Sequence, residues 1–274
     1  MSQQLSISVI IANYNRSALL KKAIESVLMQ TYPVLEIVVC DDGSTDDSKE
    51  IVGGFNSSII KWMNCGKNGR PAIPRNIGIK NAQGNYIAFL DNDDEWLPTK
   101  LEEQITIIIN KNAIATCSNA YRITEISGNE LFYKNTTDNR YSFTDLIHNN
   151  QIICSSMLIE KNSLLSSSLF PEAQHFKAIE DYLLWLQLSL NIEFYYCALP
   201  LVKYRDIPHT SIRSNDDELK QEQTIFNFLK QQRSEMTNQQ YFQVYWKYKA
   251  QRRSKLQRLV DFEYLYLYLK NKFF

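Results

Sequence analysis

Glycine and proline are scarce in this 274-residue chain, with 8 and 7 residues respectively, which excludes collagen-like and Gly/Pro-rich low-complexity architectures. Neither occurs from residue 215 onward. With nothing to punctuate it, that stretch of Gln, Lys, Glu and aromatics is expected to be helical. No segment approaches 18 consecutive apolar residues, so no membrane-spanning helix is expected. The first residues, Met-Ser-Gln-Gln-Leu-Ser, lack a basic stretch leading into an apolar one, and no secretory leader is expected. The five cysteines, Cys40, Cys65, Cys117, Cys154 and Cys197, are odd in number and show no Cys-x-x-Cys spacing. They argue against a zinc ribbon or a disulfide framework and for reduced, mostly buried thiols in a cytoplasmic protein. An excess of charge is missing too. Thirty basic residues balance thirty acidic ones, so there is no global positive field and no nucleic-acid partner is expected.

What is present is globular. Hydrophobic content of 44% and charged content of 22% suit a large core, and the length fits one α/β domain with a helical appendage. The domain is expected over 1–214, in two halves (1–118 and 119–214), with a helical extension over 215–274. Ile7 to Ala12 reads as a buried strand, followed by the turn Asn13-Tyr14-Asn15-Arg16 and a helix capped by Ser17. Leu35 to Cys40 is a second strand ending at Asp41-Asp42-Gly43-Ser44, and Ser44 with Asp47 suggests a capped second helix. Strand, helix, strand, helix implies a parallel sheet with right-handed crossovers. Further strands are expected at 59–63, 86–90, 113–118, 155–160, 193–196 and 201–204. Helices are expected from Pro74 to Ala82 and from Ile179 to Leu190, a hairpin over 121–135, and an irregular loop at the active face over 136–150 that includes a short helix.

Residues 84 to 98, Gly-Asn-Tyr-Ile-Ala-Phe-Leu-Asp-Asn-Asp-Asp-Glu-Trp-Leu-Pro, organise the rest. An apolar strand stops abruptly at four acidic residues. In an open α/β sheet that end faces the ligand crevice. If the chain stays extended through Asn92, Asp91 and Asp93 point the same way. Two such carboxylates suit a hard divalent cation that keeps waters and shares phosphate oxygens. Pro98 fits the first position of the following helix, and Asp94 and Glu95 read as polar flanks. A lone Asp-x-Asp is weak evidence, because acids also cluster in exposed turns.

Other motifs keep it company. Ser8 to Asn15, Ser26 to Tyr32, Glu36 to Asp46, Arg75-Asn76-Ile77-Gly78-Ile79, Gly84 to Asp94 and Glu180-Asp181-Tyr182-Leu183-Leu184-Trp185 together resemble the family-2 glycosyltransferases of GT-A fold, inverting enzymes of bacterial surface-polysaccharide synthesis. The resemblance covers roughly residues 5 to 213. It implies a Rossmann-like mixed sheet flanked by helices, with 1–118 as a nucleotide-binding half and 119–214 as an acceptor-binding half. It also implies nucleotide contacts at Ala12, Tyr14, Asp42, Arg75, Asp91 and Asn92, with Arg70 as a further partner of the diphosphate. Mn²⁺ or Mg²⁺ would sit on Asp93, with Asp91 on the ribose or a metal-bound water. Asp181 would be the catalytic base, Glu180 pointing about 100° away from it on the helix. His209, in Tyr204 to Ser211, either completes the metal or diphosphate shell or is a surface histidine.

The activity so implied is transfer of a sugar from a nucleotide-diphosphate donor, UDP-linked, to a hydroxyl of a glycan or lipid-linked glycan. A sugar nucleotidyltransferase would share the sheet, but it normally needs a glycine-rich phosphate loop, and residues 7–20 contain no glycine. A catalytically silent binding subunit is the other alternative. The tail over 241–274 interleaves Tyr, Phe and Trp with Lys and Arg. Such a helix either lies peripherally on the inner face of the plasma membrane or packs on the catalytic domain or on a second subunit of a homo-oligomer.

Overall fold

The computed structural model describes residues 5–125, 130–207 and 218–248. In chain order the strands are β1 (Ile7–Asn13), β2 (Glu36–Asp41), β3 (Ile60–Asn64), β4 (Tyr86–Asp91), β5 (Glu95–Trp96), β6 (Ala115–Ile123), β7 (Glu130–Leu131), β8 (Asn139–Tyr141), β9 (Leu158–Glu160) and β10 (Phe194–Arg205). The helices are α1 (Ser17–Leu28), α2 (Ser48–Gly54), α3 (Ala72–Asn81), α4 (Lys100–Lys111), α5 (Phe143–Leu146), α6 (Lys161–Leu165), α7 (Glu180–Leu188), α8 (Glu218–Gln231) and α9 (Asn238–Tyr248). Among the described residues the strands form one mixed sheet in the order β3-β2-β1-β4-β9-β6-β10-β5, with β7 on β6 and β8 on β10. The first four strands are parallel, as the alternating strand and helix pattern requires, while β9 runs antiparallel to both β4 and β6.

Alternation along the buried strands divides the core in two. Val9 and Ile11 of β1, with Ile37 and Val39 of β2, meet Leu20, Ile24, Leu101, Ile105 and Ile108 from α1 and α4. Ile10, Val38, Ile87 and Phe89 face the other way, towards Ile79 of α3 and Leu183 to Leu186 of α7. Gly78 lets α3 sit close to the sheet, since a Cβ there would lie 2.7 Å from Cys40 Sγ and 2.8 Å from Ile10 Cγ2. The period-2 rule then carries Asp91, two residues beyond Phe89, to the α3/α7 face.

Several expected boundaries move. Ser17 does not cap α1: Arg16 holds the cap position, and the Ser17 N–H donates to Asp46 Oδ2 at 2.8 Å. Ser44 likewise turns back to Asp41 instead of starting α2, whose cap residue is Asp47. Pro98 lies two residues ahead of α4. The capping box appears at α5, between Ser142 and Asp145. Residues 136–150 hold the expected short helix as α5, but they also form β8, which pairs with Phe194 to Tyr196, the amino-terminal part of β10, and not at the active face. The two strands expected at 193–196 and 201–204 are one strand with a register shift around Pro200, where proline removes a ladder donor. The first residues expected in a strand at 155–160 are instead a 3₁₀ turn, Cys154–Ser156, ahead of the short β9. The hairpin of β6 and β7 pairs as expected, Tyr121 with Leu131.

The extension packs on the domain as far as it is described. Ile225, Phe226, Phe228 and Leu229 of α8 and Val244 and Tyr248 of α9 are buried in the α7-side core. Lys247 Nζ donates to the carbonyls of Ile147 and His148, each at 2.6 Å. Of the tail over 241–274, expected either on a membrane face or packed on the domain or a second subunit, the part up to Tyr248 packs on the domain through Val244 and Tyr248, and 249–274 lie outside the described residues. Among the described residues no helix is long and apolar enough to cross a membrane.

Candidate active site

The register brings three strand ends together. Ala12 pairs with both Cys40 and Asp91, and Asn13 with Asp41. Asp41 is consumed by its own turn, accepting from the N–H groups of Gly43 and Ser44 and from Asn13 Nδ2. Asp42 is buried and reaches outward to the next loop. Its Oδ1 accepts from the Asn68 N–H and Nδ2, and its Oδ2 from the Gly69 N–H, all at 2.8 Å. It therefore shapes the 66–69 segment that closes one side of this end of the sheet. Gly69 has a φ of 74°, a left-handed conformation that glycine adopts without strain. Tyr14 directly follows β1 and has 45% of its surface exposed. Ala12, in β1, is half-buried.

At the end of β4 the chain does not stay extended through Asn92. The Asp94 N–H donates to the Asp91 carbonyl at 3.1 Å, closing a turn. Asn92 turns inward, its Nδ2 donating to Asn13 Oδ1 at 2.7 Å, and so ties β4 to β1. Asp94 is no polar flank. It is 1% exposed, accepting from Ser155 Oγ at 2.5 Å and from the Arg205 N–H at 2.8 Å. Burial, then Asp93 and Asp91, hold its carboxyl well above the usual range. Ser155 Oγ also accepts from the Asp91 N–H at 3.0 Å. One hydroxyl from the 3₁₀ turn thus fixes both ends of the acidic turn.

The two carboxylates left facing the crevice are each met by an arginine. Arg16 Nη1 donates to Asp93 Oδ2. Burial and the Asp91 charge push the Asp93 carboxyl up, and Arg16 draws it back down. Arg75, on α3, is buried and spans the site, with Nη2 2.5 Å from Asp91 Oδ1 and Nη1 3.2 Å from Glu180 Oε1. Its guanidinium lies over the Phe170 ring at 5.3 Å. Glu180 and Asp181 open α7, where the helix macrodipole favours acids. Glu180 is buried with Oε2 lacking a hydrogen-bond partner. Asp181 is half-buried. Its carboxyl is pushed up to about 7 by burial and by the Glu180 charge, with Arg75 opposing. The Cys154 thiol lies in the same field and is pushed up by burial, by Asp91, Asp181 and Glu180, and is opposed by Arg75.

The structure therefore gathers Asp91, Asp93, Arg75, Glu180 and Asp181 at one end of the sheet. Arg70, directly after Gly69, donates from Nη1 to Gln174 Oε1 at 2.7 Å. His209 lies outside the described residues. Arg205 belongs to the Tyr204 to Ser211 segment of the resemblance, whereas Arg16 and Ser155 have no role assigned from sequence. Arg16 had a visible signal, directly after Asn13-Tyr14-Asn15, whereas Ser155 is distant in the chain and reaches the site only through the turn before β9.

The sequence profile described as Glycosyl transferase family 2 matches residues 8–170, which takes in β1, the acidic turn, Arg75 and Ser155. The chain belongs to this family. An Escherichia coli relative, named UDP-Glc:alpha-D-GlcNAc-diphosphoundecaprenol beta-1,3-glucosyltransferase WfgD, is 36% identical over 76% of this chain and 80% of its own length. The similarly named WfaP of the same organism is 32% identical over 66% of this chain and 69% of its own. In fold, this glycosyltransferase is similar to Staphylococcus aureus TarS solved in complex with UDP-GlcNAc, with a TM-score of 0.68, 18% identity, and coverage of 90% of this chain and 74% of that one. The GT-A architecture expected from the sequence is the one found.

Proposed function

We propose that this glycosyltransferase moves a sugar from a UDP-linked donor to a hydroxyl of a lipid-diphosphate-linked glycan by single displacement with inversion. The observation that carries the reading is Asp181. It is a half-buried carboxylate with its acidity moved to about 7, in one cluster with Arg75 and the Asp91 turn. A base poised near working pH combines the correct protonation state with driving force for proton transfer. Asp181 takes the acceptor proton as the hydroxyl oxygen attacks the anomeric carbon, and the bond from that carbon to the diphosphate oxygen breaks. Arg75 stabilises charge on the departing diphosphate in a site that Asp91 and Glu180 have already oriented, so little reorganisation is needed. Tyr14 offers a ring face to the base, and Ala12, Asp42 and Asn92 hold the strand ends and loop around it. The names of the E. coli relatives favour glucose as the sugar and an N-acetylglucosaminyl diphosphate lipid as the acceptor.

A divalent cation fits the donor set. Among the described residues no three His, Cys, Asp or Glu side chains form a cage, and Mg²⁺ or Mn²⁺ at one or two carboxylates plus donor phosphates needs none. Asp93 would hold it, with Asp91 nearby. Asp94 is excluded because both of its oxygens are engaged. When bound, the ion supplies positive charge to the leaving diphosphate. The test is a panel of UDP, GDP, CMP and dTDP with Mn²⁺ or chelator, read as thermal stabilisation. UDP with Mn²⁺ is expected to raise Tm most, and equal stabilisation by all four nucleotides, or by UDP with and without metal, contradicts the reading.

A further inference from the structure

The N–H groups of a guanidinium lie in its plane. Arg75 uses that plane for two ion pairs, Nη2 with Asp91 and Nη1 with Glu180. Contacts at two in-plane points fix an axis but leave a pivot about it. A pivot of this kind re-aims the guanidinium's remaining N–H groups, and with them its match to the oxygens of a diphosphate. The Phe170 ring, over which the guanidinium lies at 5.3 Å, opposes that pivot.

Phe170 is itself tightly held. It is 1% exposed, in the segment between α6 and α7. Its ring meets Phe89 at 5.2 Å and Trp185 at 6.0 Å, both edge to face, and Trp185 stands one turn beyond Asp181 on α7. Its backbone is clamped by one side chain: the Phe170 N–H donates to Asn76 Oδ1 at 3.0 Å, and its carbonyl accepts from Asn76 Nδ2 at 2.8 Å. The residue before it, Leu169, has a φ of 60°. A bulky side chain rarely adopts that left-handed conformation, which persists where the surroundings impose it and gathers at functional sites. Asn76 directly follows Arg75 on α3. One helix therefore carries both the guanidinium and the clamp on the ring against it, which gives the second residue of the Arg75-Asn76 motif a task.

We propose that Phe170 is a positioning residue for sugar transfer: clamped by Asn76, its ring sets the tilt of the Arg75 guanidinium towards the departing diphosphate. This rests on the reading of Arg75 as the group that stabilises the leaving diphosphate. It adds that the aim of Arg75 comes from an apolar ring that touches neither donor nor acceptor.

The test is kcat and the donor KM with UDP-glucose, Mn²⁺ and an N-acetylglucosaminyl diphosphate lipid, together with Tm. The full chain is compared with Phe170→Leu, Asn76→Asp and Phe194→Leu. Phe170→Leu keeps apolar bulk and removes the ring. Its kcat and kcat/KM should fall together by about tenfold, the strength of a desolvated cation–ring contact expressed as a rate. Asn76→Asp keeps an acceptor for the Phe170 N–H and loses the donor to its carbonyl, so its kcat should fall by less. Phe194→Leu is the structural control. Phe194 is buried and meets Trp185 at 6.1 Å, and its loss leaves the ring over which Arg75 lies in place. It should lower Tm much as Phe170→Leu does, with kcat unaltered. An unaltered kcat in Phe170→Leu, a raised KM at unaltered kcat, or an equal fall in Phe194→Leu overturns the proposal. If Phe170→Leu does not fold, an unaltered kcat in Asn76→Asp overturns it. Absence of transfer by the unaltered chain removes the functional reading and this inference together, whereas normal transfer that is indifferent to Phe170 removes only the inference.

Discussion

Asp181 owes its place at the site to α7 and its acidity to its neighbours. Burial and the adjacent Glu180 raise its carboxyl to about 7, against the pull of Arg75. Transfer should therefore need the deprotonated form, and kcat/KM should rise with pH through about 7, a limb that a pH–rate profile measures directly. Stability should run the other way. A group whose pKa is raised on folding contributes stability below its unfolded value and loses it as pH rises through the folded one. Tm of the unaltered chain should thus fall relative to Asp181→Asn between about pH 4 and 7. Parallel pH curves for the two chains would remove the assigned environment. Ser155 gives a second residue-scale expectation. Ser155→Ala leaves Asp94 and the Asp91 N–H short of a buried partner each, a loss of about 1–3 kcal/mol, and should weaken Mn²⁺ binding without touching a ligand. Denaturant unfolding and metal titration on the same variant check both, and unchanged metal affinity would contradict the positioning role. Asp91, Arg75 and Asp181 were legible in sequence because each belongs to a motif tied to an element end. Ser155 and the burial of Asp94 were not, because they arise from a contact between segments some sixty residues apart, which no local pattern encodes.

At the scale of elements, the apolar strands and amphipathic helices were readable because period 2 and period 3.6 are written along them. Errors fell where a side chain had a tertiary alternative to its local role. Ser17 and Ser44 look like helix caps, yet the Ser17 N–H is satisfied by Asp46 and the Ser44 hydroxyl by Asp41. The chain through Asn92 was expected to stay extended, but Asn13 offers its amide a buried partner and the strand turns instead. Helices α8 and α9 carry a further expectation. They contribute Phe226, Phe228, Leu229, Val244 and Tyr248 to the α7-side core. Ending the chain at Ile207 would expose those contacts on α5 and α7, the helix that bears Asp181. The shortened chain should lose several kcal/mol, as removal of a few large buried side chains does, and should aggregate or melt well below the full chain. A shortened chain with an unchanged Tm and UDP response would show instead that the extension is dispensable to the fold.

Across the whole molecule, the parallel half of the sheet supplies Tyr14, Asp42 and the acidic turn, while α7 and the 3₁₀ turn of the second half supply Asp181 and Ser155. The site lies where the two meet, at the carboxyl ends of β1, β2 and β4, as expected of an open α/β sheet. Its charge is local: the chain as a whole is neutral, yet the crevice pairs Arg16 and Arg75 with Asp93, Asp91 and Glu180. On the proposed mechanism this cluster performs an inverting sugar transfer with Asp181 as its base. The most direct measurement is nuclear magnetic resonance of the product formed from UDP-α-glucose and an N-acetylglucosaminyl diphosphate lipid in Mn²⁺, by the unaltered chain and by Asp181→Asn. A β-linked product is expected from the unaltered chain and a rate lowered by about 10²–10⁴-fold in Asp181→Asn, with UDP binding retained. An α-linked product, or transfer by Asp181→Asn at the unaltered rate, would contradict it.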